Sequence, residues 1–504
     1  MSGQRRAGIA CAALVVAAAG LRAVPCWSEF WLDEIWSWWT ARGLASAPDV
    51  FRAVHHSNNH HLMTLWIYAL GERDGWVLYR LPAWIAGVAS VALGAALAWR
   101  RDRLEACLAA LLLGSCFALV HFSSEARGYA PAVAASLAAL WLLERDLERH
   151  RPARALAFGA CVSLALLSQL VSLFFWAGAL AWSGWRLARS AAPARRRLAQ
   201  LAWLHGLPLA VLAALYQVDL RHFELAGGNP TDTAEWLSRS VGFALGLPVR
   251  RALALPYGLL AAALVGAGLA RLARRGDDRW LLFAVTIALA PALALLALRP
   301  QVVDIRYFLI GIALALLLAA DLLAEAWRRG GRLRALGAAL LALYLIGHAA
   351  HVAAFLRHGR GGYREALLWM ARESPGPSIR VASDHDFRNG LVLRFYAREL
   401  PPDRLLDYRP RGAPGAADAD WFVVHRPQRP GPPPASIRVR GRRFELAAEF
   451  DHAAISGFYW ALYRRSDPVA ARPGGATAPR RSPRRRRARA RSARPARSAP
   501  RQRP

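Results

Sequence analysis

Trp31-Leu32-Asp33-Glu34-Ile35-Trp36-Ser37 stands just after the first long apolar run, Ala7 to Val24, and sets two adjacent carboxylates among Trp27, Trp31, Trp36, Trp38 and Trp39. Two readings of it compete. In one, Asp33 is the N-cap of an interfacial helix running from Glu34 to Leu44, Glu34 is favoured by the helix dipole, and the tryptophans form a headgroup-level belt. In the other, the pair does proton chemistry in a wet pocket at the membrane surface. The stretch alone does not choose. What lies on its side of the membrane does.

The composition puts a membrane there. A chain of 504 residues that is 55% hydrophobic and carries 20 tryptophans is too apolar for an ordinary soluble protein. Mean hydropathy is +0.20. The net charge of +32 comes entirely from arginine, because the sequence has no lysine. Much of that charge sits in connections between apolar runs and in a tail from Arg480 to Arg503, so it identifies no partner, and no nucleic-acid role is assigned. The five cysteines, Cys11, Cys26, Cys107, Cys116 and Cys161, lie in or beside apolar segments, which argues against a disulfide framework or a thiolate metal site.

Working outward, apolar segments of about 20 residues, the length a bilayer requires, occur near 7–26, 78–99, 104–121, 129–145, 154–169, 170–187, 199–217, 252–270, 280–298, 306–326 and 335–356. The expectation is eleven transmembrane helices. The first run follows Arg5 and Arg6 like a signal peptide, but Pro25-Cys26 makes a poor cleavage site, so it reads as a retained span. His61 to Leu70 is too short to span and is expected to re-enter or lie along the surface. The N-terminus and the turns near 100, 148, 190, 275 and 330 hold 22 arginines, against 11 in the opposite, longer connections. By the positive-inside rule the first set is cytoplasmic. The first loop (27–76) and the loops 121–128, 217–251 and 299–305 are then outside, with the C-terminal part, in a multi-pass protein of the plasma (inner) membrane.

After Gly359 the apolar runs shorten. Ser378 to Ser383 and Trp421 to His425 read as strands, Phe387 to Glu399 as an amphipathic helix, and Ile437 to Phe450 with Phe458 to Arg465 as a further strand pair. The expected plan is a helical membrane module at 1–357, a small extracytoplasmic α/β domain at 358–466, and a disordered Arg/Pro/Ala-rich tail at 467–504.

On the outer side, the first loop continues to His55-His56-Ser57-Asn58-Asn59-His60-His61. A later loop carries Glu125-Ala126-Arg127-Gly128-Tyr129, and Asp304-Ile305-Arg306-Tyr307 opens a late span. Arginines at span ends usually snorkel to the interface. Three such sites converging with carboxylates, imidazoles and amides would instead pair proton acceptors with guanidinium groups suited to phosphate. His56 and His60, four apart, are weak candidates for a divalent metal, although Ser57-Asn58-Asn59 favours a turn over a helix. No cofactor is certain.

With Leu32-Asp33-Glu34 after the first span, Asn59-His60 before Leu62, Glu125-Ala126-Arg127-Gly128-Tyr129 and Arg306-Tyr307 in this order, the sequence resembles the GT-C superfamily of polytopic glycosyltransferases. It is most similar to the protein mannosyltransferase type (glycosyltransferase family 39) and the lipid A aminoarabinose transferases. Many members have His-Pro-Pro-Leu where this chain has His60-His61-Leu62. The resemblance implies inverting transfer from a polyprenyl-phosphate-linked sugar to a protein, lipid or polysaccharide acceptor. It casts Asp33 as base, Glu34 as orienting the acceptor or sharing that role, Arg127 and Arg306 as phosphate ligands with Tyr129 and Tyr307 beside them, and Asn59, His60, His61 and Glu125 as substrate contacts. A transporter or lipid-linked sugar flippase is the alternative, although neither paired halves nor matching broken spans are evident.

Overall fold

In the computed structural model, which describes residues 3–73, 75–223, 232–427, 431–453 and 455–466, a helix occupies each of the eleven apolar runs. Seven helices are long and apolar enough to cross a membrane, among them Val77–Trp99, Ile305–Arg329 and the helix beginning at Gly331. The other four predicted spans fold as shorter, broken or more polar helices: Arg103–Ser115 with Phe117–Phe122, Tyr129–Glu148, Pro152–Ser168 and Leu173–Ala188. The expected count of eleven crossings is therefore not established. His61–Leu70 is a ten-residue helix, too short to span, as expected. The tail expected to be disordered lies outside the described residues.

Lipid tails are as apolar as leucine, so these helices are held together by close packing rather than by escape from water. The sequence supplies small residues for it: Ala106, Ala109, Ala110, Ala132, Ala139, Ala313, Ala320 and Ala324 are all buried at the helix contacts. Leu255, Leu296, Leu298 and Ile346 face outward, as lipid-facing residues do. The run expected as one span at 104–121 breaks at Cys116. A break inside the apolar layer frees backbone groups that must be satisfied from elsewhere. His348 Nδ1 accepts from the Phe117 amide at 2.9 Å, and buried Arg22 donates to the Leu113 and Gly114 carbonyls at 2.8 Å each.

The two ends of the bundle differ in chemistry. Val77–Trp99 carries Arg80 near its start and leads into Arg100, about 30 Å away at 1.5 Å per residue. The Arg100 end is a belt of ion pairs: Arg100 with Glu148 at 2.6 Å, Arg279 with Glu144 at 2.8 Å, and Arg271 with Asp321 at 2.6 Å. The Arg80 end gathers the first loop, the 121–128 loop, Arg306 and the C-terminal part.

That part is a small α/β domain. Its strands are β1 (Ser378–Ser383), β2 (Leu405–Tyr408), β3 (Trp421–Arg426), β4 (Ser436–Val439), β5 (Arg442–Phe450) and β6 (Tyr459–Arg465), in one sheet of order β2-β1-β3-β6-β5-β4. β1 pairs parallel with β2 and β3, and the remaining pairs are antiparallel. The region expected as one strand from Ile437 to Phe450 is the β4–β5 hairpin, with Arg440 and Gly441 at positive φ in its turn. Short β2 and the helix Tyr363–Glu373 were not anticipated.

The domain seats on the first loop through Asp386–Tyr396, whose Tyr396 hydroxyl donates to the Phe30 carbonyl at 2.8 Å while Phe395 stacks on Phe30. Beside this contact Glu29 accepts from the Arg364 amide at 2.8 Å. Burial pushes the Glu29 carboxyl up from about 4.5 to about 7. A raised carboxyl holds its proton better folded than unfolded, so its contribution to stability is full below about 4.5 and falls as pH rises towards 7. Thermal melting of the full chain is expected to weaken from pH 5 to pH 8, and Glu29→Gln to flatten that slope. An unchanged slope in the variant would remove Glu29 from the seam.

Candidate active site

The outer helix, Leu32–Arg42, begins one residue after extended Trp31, which is its N-cap. The expectation that Asp33 caps the helix is corrected: Asp33 is in the first turn, with its side chain free to point away. Glu34 instead reaches back toward the Trp31 amide, at 3.5 Å. The two neighbours diverge from there.

Asp33 Oδ2 accepts from Arg306 Nη1 at 2.7 Å and also from Arg127 Nη1. Its side chain is 14% exposed. One carboxylate oxygen thus sits between two guanidiniums from chain positions 94 and 273 residues away. Arg306 Nε is buried and, among the described residues, has no hydrogen-bond partner. Arg127 is further held by His60 Nε2 at 2.8 Å and donates to the Tyr129 hydroxyl at 3.1 Å. His60 Nδ1 lies 3.1 Å from the Ser168 carbonyl, which assigns the proton to Nδ1 and leaves Nε2 as acceptor. Burial, and then the Arg127 charge, hold the His60 pKa well below the ordinary imidazole value. A neutral ring therefore aims Arg127 without competing for anions. The close approach needs glycine next door, since a Cβ on Gly128 would lie 1.9 Å from the Ser168 carbonyl oxygen.

Glu34 differs from expectation. Its side chain is fully buried and paired bidentately with Arg80, Oε1 to Nε at 2.8 Å and Oε2 to Nη2 at 2.6 Å, and Oε1 also accepts from the Ala126 amide at 2.8 Å. It ties the outer helix to Val77–Trp99 and to the 121–128 loop. Glu125 is likewise enclosed, accepting from Ser456 at 2.6 Å and Arg360 at 3.2 Å, with His121 Nε2 at 3.1 Å. Burial opposes its ionisation, but the His121 bond and the Arg360 charge hold its pKa below the usual carboxylate value. Asn59 is spent on the carbonyls of Val50 and Val54 and on Thr64. His61 is buried against Asp219 at 2.7 Å, and Asp219 also takes His55 at 2.8 Å. Each of these residues, expected to touch substrate, is engaged by a partner within the protein. Arg80, Arg360 and Asp219 were missed. A charge inside an apolar run, as at Arg80, was the one available signal.

No cation centre forms at the two histidines. His56 stacks on Trp36 at 4.6 Å, and both His60 ring nitrogens are engaged, one by a guanidinium that repels cations. Among the described residues no cluster of three or more His, Cys, Asp or Glu is arranged to hold a metal.

Beside Arg306 the bundle holds an apolar cavity of about 190 Å3, lined by Phe174, Trp236, Val241, Leu264 and Ile312 and walled by Tyr307 and Phe308. The two residues that follow Arg306 thus wall an apolar cavity among the helices.

No family model matches the chain, and no curated protein matches it in sequence. Solved structures do match in shape. ArnT from Cupriavidus metallidurans bound to undecaprenyl phosphate superposes over 91% of this chain and 98% of its own, at 14% identity and a TM-score of 0.52. The same protein in the apo state covers 82% and 92%, at 13% identity and 0.50. The fold is GT-C. The archaeal oligosaccharyltransferase AglB from Archaeoglobus fulgidus superposes more loosely, over 84% of this chain and 69% of its own, at 14% identity and 0.44.

Proposed function

We propose that the chain is a glycosyltransferase of the inner membrane that moves a sugar from a polyprenyl-phosphate donor to an extracytoplasmic acceptor, with inversion at the anomeric carbon. One observation carries this reading: a single carboxylate, Asp33, held between Arg127 and Arg306, whose next residues Tyr307 and Phe308 line an apolar cavity. The cavity suits an isoprenoid chain, and the two guanidiniums suit the phosphate that ends it. The ArnT fold, solved elsewhere with undecaprenyl phosphate, supports the same pairing.

The parts divide the work. A lipid phosphate is a good leaving group that needs charge neutralisation more than a proton, which Arg127 and Arg306 supply. Asp33 takes the proton of the acceptor hydroxyl or amine as it attacks from the face opposite the phosphate. A phosphate reaching the arginines competes with Asp33 for them and releases the carboxylate to act as base. Tyr129 and His60 hold Arg127, and Tyr307 lines the lipid cavity. Glu34, Glu125, Asn59 and His61 position the loop. The α/β domain covers the wet side, where the acceptor arrives.

The direct test uses the full chain in nanodiscs and undecaprenyl phosphate. Arg306→Ala and Arg127→Ala are each expected to weaken binding about tenfold or more, since a charge-assisted hydrogen bond contributes about 1.5–3 kcal/mol. Undiminished binding in both variants defeats the donor-site reading. Mass spectrometry of envelope glycans from a deletion strain then identifies sugar and acceptor.

A further inference from the structure

Resting on that donor reading, a further observation concerns the helix Asp386–Tyr396, which packs on the outer helix that carries Asp33. Its first turn reaches inward. Phe387 meets the Trp36 ring edge-on at 5.2 Å, one helical turn along from Asp33, and Arg388 follows it.

Arg388 is held by a relay within the domain. Its Nη1 lies 3.0 Å from His425 Nε2, and His425 Nδ1 lies 2.8 Å from Asp384 Oδ1. Asp384 is itself fixed by the Asn389 amide at 2.9 Å and by Arg426 at 3.1 Å. With its proton on Nδ1, facing Asp384, the imidazole accepts from Arg388 at Nε2. It orients the guanidinium without neutralising it. Among the described residues no carboxylate pairs directly with Arg388, whose other close neighbour is the Phe458 ring at 5.6 Å. A half-buried cation with no anion of its own is prepared for one that arrives.

The reaction supplies such an anion. The donor is a phosphodiester with one negative charge. As the acceptor oxygen or nitrogen bonds to the anomeric carbon, the bond from that carbon to the phosphate oxygen breaks and its electron pair stays on the oxygen, while the acceptor's proton passes to Asp33. The released lipid phosphate is a monoester and carries nearly two charges above its second pKa of about 6. The new charge appears on the phosphate oxygen that held the sugar.

We propose that Arg388, oriented by the Asp384–His425 pair, is a third phosphate-binding group of this site, contributed by the C-terminal domain to the oxygen that gains charge when the sugar leaves. Arg127 and Arg306 serve donor and product alike, whereas Arg388 favours the product and the transition state leading to it. Asp384 and His425 are positioning residues.

The experiment compares undecaprenyl phosphate with its methyl ester, a singly charged diester, binding to the full chain in nanodiscs at pH 8. Arg388→Gln is expected to weaken monoester binding about tenfold and to leave the methyl ester within about twofold, since only the monoester presents the second charge. Arg388→Lys should restore most of the difference, and Asp384→Asn should reduce it in the same direction. A merely structural role would move both lipids together. Equal losses for the two lipids in Arg388→Gln, or no loss for either, overturn the role of Arg388 while the donor reading stands. Failure of the unsubstituted protein to bind either lipid defeats both.

Discussion

Asp33→Asn is expected to lower sugar transfer by about 10²–10⁴-fold, the range a positioned general base contributes, with protein level and membrane insertion unchanged. The asparagine oxygen keeps the shape that Arg127 and Arg306 hold, so the loop stays in place, but the amide takes no proton. Donor affinity should move the other way. In the unsubstituted chain the carboxylate occupies both guanidiniums, at 2.7 Å for Arg306. A neutral amide competes for them less well, and undecaprenyl phosphate should bind as tightly or more tightly. The expected signature is thus a collapse of kcat without a rise in donor KM, which a misfolded variant would not give. A transporter or flippase makes the opposite demand, that lipid-linked sugar exchange persists in Asp33→Asn. Transfer above about a tenth of the original rate would exclude Asp33 as the base.

The sequence carried the frame of this site because its parts obey rules that act locally. Apolar length places helices, and the convergence of Asp33, Arg127 and Arg306 follows from which loops share an end of the bundle. What it did not carry is which polar residues face substrate. Asn59, His61 and Glu125 sit in the expected loops, yet each is consumed by a partner inside the protein, Val50 and Val54, Asp219, and Arg360 with Ser456. A loop residue that binds a ligand and one that folds the loop have the same composition, and only the partner tells them apart. Two of those partners are distant, Asp219 at 158 residues from His61 and Arg360 at 235 from Glu125, whereas Val50 and Val54 are 9 and 5 residues from Asn59. Arg80 is the exception, since a charge near the start of an apolar run demands a counter-charge. Arg388 gave no such sign, because an arginine in an amphipathic helix ordinarily faces water.

The second large effect concerns Glu34, the acidic neighbour of Asp33. Arg80→Ala should destabilise the chain by about 3–5 kcal/mol, the usual consequence of stranding a buried charge, seen as a lower melting temperature and reduced expression. The loss extends beyond one pair. Arg80 also donates to the carbonyls of Cys26 at 2.9 Å and Glu29 at 3.0 Å, so the stretch joining the first helix to the outer helix loses its anchor with it. In Arg80→Met combined with Glu34→Leu neither charge remains, and stability should return in part, the residual deficit being those unsatisfied carbonyls. Glu34→Gln separates structure from chemistry. The amide keeps the shape and one acceptor oxygen, so at 20 °C the folded variant should transfer sugar within a few fold of the original rate while melting earlier. If Glu34→Gln instead loses transfer about a hundredfold at an unchanged melting temperature, the proton acceptor is Glu34, and the enclosed pair with Arg80 must open during turnover.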